Sequence, residues 1–236
     1  CPLSPRKKAI TGPAASDAAQ ALDMLRKAEK PLVIAGGRLH GAEALADFNA
    51  FAEEFQLPVA TSQRRFHVFD SHHPNAAGRL FNRAPKELLD AMQETDLLLV
   101  LGERIGPSMS QGFTFPRAPK PDQPMIHVWP STEEVGRNFQ PELGIGCDPH
   151  EFIKAMRAEG GGDLPSGRAA WVQRLNSIHK EVMNWTPVSS NDGVVFGHVV
   201  TAIDKHMAKD AVVTCDAGNF SSWPSRFLNM GQKNMF

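Results

Sequence analysis

The chain has 236 residues and a formal net charge of −1, with 42% hydrophobic and 22% charged residues. That balance provides no long-range field for nucleic acid or an anionic membrane surface, and no apolar run approaches the roughly 18 residues of a membrane span. Its three cysteines, Cys1, Cys147 and Cys215, include no C-x-x-C pair, which argues against a disulfide framework or a cysteine zinc site and for a cytoplasmic setting. The start has no apolar core of a secretory signal, and the missing initial Met suggests a processed product or an internal piece of a longer protein.

Residues 1–15 read as an extended lead-in. Ser16-Asp17 predicts an N-cap and a first-turn acid for a helix running to about Glu29, with Ala18, Leu22 and Leu25 on one side. Pro31–Ala35 is a short apolar run closed by Gly36-Gly37, as in a strand buried on both faces. A helix opening at Gly41 carries Leu45, Phe48, Phe51, Ala52 and Phe55 at spacings of three and four. Leu57–Ala60 predicts a strand ending in Thr61-Ser62, and a polar loop with Arg64-Arg65 and His72-His73-Pro74 leads to Gly78. Ala84–Thr95 predicts a helix that delivers Leu97–Leu101, five apolar residues without alternation, stopped by Gly102.

A Pro-rich excursion from Phe115 to Pro124 precedes the next strand, Met125–Trp129. Ser131–Glu134 predicts a helix start. Leu143–Cys147 predicts a last strand, with Asp148 capping a helix to about Ala158. Strands and helices alternate through short loops, so the expected fold is α/β, a doubly wound parallel sheet of Rossmann-like type. Gly160–Gly167 reads as a linker. Helices over 169–185 and 192–207 and a strand at Ala211–Cys215 then suggest the truncated start of a second α/β domain. The expected division is residues 1–158, a linker and connecting helix over 159–190, and the truncated domain over 191–236.

Gly36-Gly37-Arg38 and Gly102-Glu103-Arg104 stand where the strands of an open α/β sheet present their ligand-binding ends, and Thr61-Ser62 and Asp148 would join them. Glycine admits close backbone approach and Arg pairs with phosphate, which suits a dinucleotide; equally, glycine ends buried strands for steric reasons alone. G-x-G-x-x-G spacing is absent from both places. The His72-His73 pair reads as a solvated loop rather than a metal site, since sequence neighbours do not face one another. Cys147 and Cys215 read as core thiols rather than nucleophiles. No G-x-S-x-G, H-E-x-x-H or Walker pattern occurs.

In order and spacing these motifs resemble the thiamine diphosphate-dependent enzymes of the acetolactate synthase type. Lys30–Gly37, Leu57–Thr61, His73–Gly78, Ala91–Arg104, Ile126–Val128, Glu134–Asn138 and Asp148 carry the likeness to that family's central domain. Val212–Trp223 looks like the opening of its diphosphate-binding domain. The resemblance implies a lyase or carboligase acting on a small 2-oxo acid or acyl donor, with thiamine diphosphate and Mg²⁺ in the full-length enzyme. It implies that Gly218, Asn219 and Phe220 border the cofactor diphosphate. Gly36, Gly37, Thr61, Gly102 and Arg104 would line a central cleft that binds FAD in some members and nothing in others. Trp129 and Ser131 stand where the family usually has two nucleotide-bonding Asp residues, which disfavours FAD.

The family's cofactor lies between domains of two subunits, so a homodimer or homotetramer is implied. The Glu that activates the cofactor and the segment that holds Mg²⁺ have no counterpart here. The resemblance therefore assigns no catalytic residue and no metal ligand to this chain, and it predicts that these residues alone do not catalyse. The alternative readings are a non-catalytic FAD- or NAD-binding module and a structural domain with an empty cleft.

Overall fold

Strands β1 (Pro31–Ala35), β2 (Val59–Ser62), β3 (Ala76–Leu80), β4 (Leu97–Leu101), β5 (Met125–Trp129) and β6 (Leu143–Gly146) form one all-parallel sheet in the order β3-β2-β1-β4-β5-β6. The computed structural model describes residues 10–216 and 218–232; most of the expected lead-in, together with Ala217, lies outside the described residues. Registers are regular through the centre, with Val33 opposite both Val59 and Leu99, and Leu99 opposite Ile126. The chain winds outward from β1 to β3, then returns to lay β4 on the other side of β1. This reversal makes the β1/β4 junction the topological switch point, where an open α/β sheet holds its ligand crevice.

Helices cover both faces, which is why the strands read as unbroken apolar runs. Odd positions of the two central strands, Val33 and Ala35 with Leu97, Leu99 and Leu101, pack under α1 (Ala15–Lys27), α2 (Ala42–Glu54) and α4 (Pro149–Glu159). Even positions, Leu32 and Ile34 with Leu98 and Val100, pack under α3 (Lys86–Met92) and α5 (Arg168–Met183). The expected doubly wound α/β architecture is therefore observed. α5 is seated on the sheet by Trp171, whose indole N–H donates to the Pro31 carbonyl at 2.8 Å, and by Asn176, whose amide donates to the Ala76 carbonyl at 2.9 Å.

Asp148 caps α4 as expected, accepting from the His150 backbone N–H at 3.0 Å, with Pro149 in the first turn. Four local expectations fail. The first helix is capped by Ala14 rather than Ser16, although Asp17 lies in its first turn as expected. Ala76–Leu80, expected as loop, is a strand: Gly78 and Arg79 interrupt its apolar run, yet it pairs in parallel with β2 through a register shift. Residues 131–134 form turns rather than a helix, the Glu134 N–H bonding the Ser131 carbonyl at 3.2 Å. Ala211–Cys215 forms none of the sheet's strands. Val212 is 64% exposed, because an isolated apolar run has no second sheet to enter among the described residues.

Beyond α5, α6 (Phe196–His206) and α7 (Ser222–Phe227) fold back toward the β3 edge. Val200, Leu228 and Met230 form a small apolar cluster with Phe66, Phe81 and Ala84.

Candidate functional site

At the switch point the loops after β1 and β4 are bonded to each other. The Gly36 N–H donates to the Leu101 carbonyl at 2.9 Å, and the Arg38 N–H donates to the Gly102 carbonyl at 3.2 Å. Glycine is dictated at both ends. A Cβ on Gly36 would lie 2.4 Å from the Gly102 oxygen, and Gly102 has φ +64 with the Arg38 Cβ 2.8 Å from its own virtual Cβ. Glycine at these strand ends thus serves close packing of the chain on itself, the steric alternative raised by the sequence. Glu103 folds back so that its carboxylate accepts from the Arg104 backbone N–H at 2.9 Å. His127 on β5 bonds the Glu103 carbonyl at 2.9 Å, and its burial lowers its pKa.

Side chains of the protein itself fill the crevice. The Arg38 guanidinium lies over the Trp129 ring at 5.0 Å from its centroid, and that of Arg104 lies over it at 5.6 Å. Arg104 also pairs with Glu134 at 3.6 Å, and Arg65 occupies the space a side chain on Gly37 would need. Outside this stack an open hollow of about 400 Å³ is lined by Glu103, Arg104, Gly106, Glu134, Arg137 and Asn138, with Glu134 bridging to Arg137 at 3.0 Å. A flavin dinucleotide running between the β1 and β4 loops would have to displace Trp129 and both arginines. The residues present do not fit that group.

The other anticipated residues lie elsewhere. Thr61 stands opposite Ala35 in the sheet, but it is buried and lines a small gap with Ser71, Arg79 and His179. Gly218, Asn219 and Phe220 lead through a single 3₁₀ turn into α7, which docks on β3, two strands from the switch point. Phe220 is 44% exposed, and the Ser221 and Ser222 hydroxyls donate back to the Gly218 and Asn219 carbonyls at 2.7 and 2.6 Å. This leaves Gly218, Asn219 and Phe220 exposed, a surface that a group held partly by other parts of a protein could reach.

His73 is used locally, its Nε2 3.1 Å from the Glu53 carboxylate and its Nδ1 accepting from the Asn75 N–H at 3.0 Å. Cys147 is a core thiol, pushed up to about 12 by burial and by neighbouring acids, Asp148 first among them. Cys215 is only half-buried and unpaired, because the strand expected to enclose it does not form. Glu43, Asp47 and His150 bring ligand-type atoms within 4.8 Å of one another. However, Asp47 is already paired with His150 at 2.7 Å and with Arg157, which ties α2 to α4.

Two buried cations escaped sequence reasoning. Arg168, fully buried at the start of α5, donates to the carbonyls of Leu25, Ala28 and Phe55, which close α1 and α2. Arg79, buried on β3, donates to the Ser225 carbonyl at 3.1 Å and the Ser71 hydroxyl at 2.7 Å. Both look like surface residues when read in sequence; for Arg79 the one signal was its place between Gly78 and Leu80.

The fold and crevice define a doubly wound α/β domain of the nucleotide-binding type, with its switch point closed by its own side chains. The family profile described as thiamine pyrophosphate enzyme, central domain, matches residues 18–156, and the chain belongs to that family. It is 27% identical over 218 residues to the acetolactate synthase large subunit of Parasynechococcus marenigrum, covering 91% of this chain and 34% of that protein. It is 29% identical over 180 residues to a sulfoacetaldehyde acetyltransferase of Rhodobacter capsulatus, covering 69% of this chain and 30% of that protein. To the acetolactate synthase isozyme 2 large subunit of Escherichia coli it is 23% identical over 210 residues, 89% of this chain and 36% of that protein. The chain thus spans about a third of the length of these curated relatives. No helix among the described residues is long and apolar enough to cross a membrane.

Proposed function

We propose that this chain is the central-domain portion, with the start of the diphosphate-binding domain, of a thiamine diphosphate-dependent carboligase or lyase acting on a small 2-oxo acid or related acyl donor. The observation that carries this reading is the family match over residues 18–156, continued by relatives that align with about nine-tenths of the chain. Those relatives are named for acetolactate synthesis and for acetyl transfer, so the reading stops at the shared class of reaction.

Thiamine diphosphate, held with Mg²⁺, supplies the carbanion-stabilising chemistry of such an enzyme when bound. In this reading the chain itself contributes scaffold: the sheet carries the segment in which Gly218, Asn219 and Phe220 form one wall of the diphosphate site. The other walls belong to further domains and a second subunit, so the intact enzyme is a homodimer or homotetramer. Its setting is cytoplasmic, which the unpaired Cys147 and Cys215 suit. The central crevice takes no flavin, in keeping with the Arg38–Trp129–Arg104 stack.

The test is cofactor dependence of the intact protein that contains this sequence. Chelation and dialysis should abolish consumption of the 2-oxo acid or acyl donor that the intact protein turns over, and thiamine diphosphate with Mg²⁺ together should restore it. Turnover that survives complete removal of both would overturn the reading, and tight retention of FAD or NAD without thiamine diphosphate would replace it with the nucleotide-module alternative. The 236-residue chain alone should show no turnover; saturable conversion of a 2-oxo acid by the isolated polypeptide would contradict its role as scaffold.

A further inference from the structure

We propose that Arg79 is a positioning residue: from β3 it clasps the segment that follows Gly218–Phe220 and so fixes that turn against the central domain. The inference rests on the thiamine diphosphate reading for its functional consequence, and on geometry alone for the clasp.

Arg79 lies on β3, the edge strand of the sheet that packs against α5, and only 4% of it is exposed. Its guanidinium fork spans two elements. One nitrogen donates to the Ser225 carbonyl within α7, and the other donates to the Ser71 hydroxyl. Ser71 carries the connection onward. Its backbone N–H donates to the Met230 carbonyl at 3.0 Å, its hydroxyl lies 3.1 Å from that oxygen, and the Met230 N–H donates to the hydroxyl at 3.2 Å. The stretch from Ser225 to Met230 is thereby held at both ends by one buried cation and one serine.

The surroundings are those of a fitted socket. The Phe66 ring lies under the guanidinium at 4.7 Å, and His179 of α5 donates its Nε2–H to the Ser71 carbonyl at 3.1 Å. A second pin runs from Arg226 to the Val182 carbonyl at 3.0 Å. Arg79's hydrogen-bond partners are neutral, and burial lowers its pKa to about 9 against the opposing pull of Asp204. A buried cation with neutral partners gives little net stability, because desolvation offsets the bonds it makes. What such a group does provide is direction, since a planar fork fixes two acceptors at once and Lys cannot replace it. The six residues of α7 follow Gly218–Phe220 within two positions, so the set of the helix is the set of the turn.

The experiment uses the intact protein with Arg79→Met, Arg79→Lys and Ser71→Ala. Arg79→Met should raise the half-saturating thiamine diphosphate concentration about tenfold, the size of one lost charge-assisted bond. Turnover at saturating cofactor and the KM for the 2-oxo acid should stay within about twofold, since excess cofactor re-forms the wall. Arg79→Lys should fall between, and Ser71→Ala should shift in the same direction by less, which decides the matter if Arg79→Met does not fold. In parallel, amide hydrogen exchange without cofactor should quicken at Leu228 and Met230 in Arg79→Met. An unchanged half-saturation in folded variants, or turnover and thermal midpoint falling together with half-saturation fixed, would overturn the positioning role. A wild-type enzyme without thiamine diphosphate dependence would instead remove the proposed function, while the exchange rates would still decide whether the clasp exists.

Discussion

Arg168 shows how a single side chain can complete two helices. The C-terminal carbonyls of α1 and α2 lack intrahelical donors, and the guanidinium supplies them from the first residue of α5. Burial lowers its pKa only to about 10, so it stays charged at neutral pH. Replacing it with Met would leave the Leu25, Ala28 and Phe55 carbonyls facing apolar neighbours; the expected loss is about 3 kcal/mol, read as a lower urea midpoint at unchanged slope. An unchanged midpoint would show that water reaches those carbonyls. His179 supplies the pH dependence. Burial, then the Arg79 charge, lowers its pKa to about 4, and its Nδ1 is buried with no partner to accept a proton's hydrogen bond. The unfolded state therefore binds the proton first: stability is full above about pH 6.5 and declines as the pH falls toward 4, by up to about 3 kcal/mol. Urea midpoints measured across that window should fall with pH, and the fall should shrink in His179→Gln.

At the scale of elements, the close contact of the β1 and β4 loops makes a sharp prediction. Gly102→Ala places a Cβ 2.8 Å from that of Arg38 at φ +64, so the variant should lose about 1–3 kcal/mol in thermal or urea unfolding. Retained stability would mean that the two loops separate easily. The central elements were legible in the sequence because burial on both faces writes itself as an unbroken apolar run, as in Leu97–Leu101. β3 was hidden because an edge strand admits Gly78 and Arg79, whose presence resembles loop composition. The acids at 133–134 imitate a helix start, yet only turns follow, because Gly136 at φ +83 breaks the helical path.

For the whole molecule, the strand-end glycines and arginines could be placed from sequence, since the topology puts them at the carboxyl edge of the sheet. Their use could not, because the stack joins the loops after β1 and β4 to Trp129 at the end of β5, and no local pattern encodes it. The same holds for Arg79, whose partners come from residues 71 and 225. Trp129 thus decides between a ligand crevice and a self-filled one. A dinucleotide entering here would have to break two cation–π contacts, each worth about 0.5–2 kcal/mol, and the Arg104–Glu134 pair, before making any contact of its own. The intact protein should therefore carry no flavin as purified, and equilibrium dialysis against FAD should leave none bound after washing, measured as absorbance of the denatured supernatant near the flavin maximum. Flavin retained at one per chain would mean that Arg38, Trp129 and Arg104 swing apart at little cost, and that the stack is a closed state of a working nucleotide site.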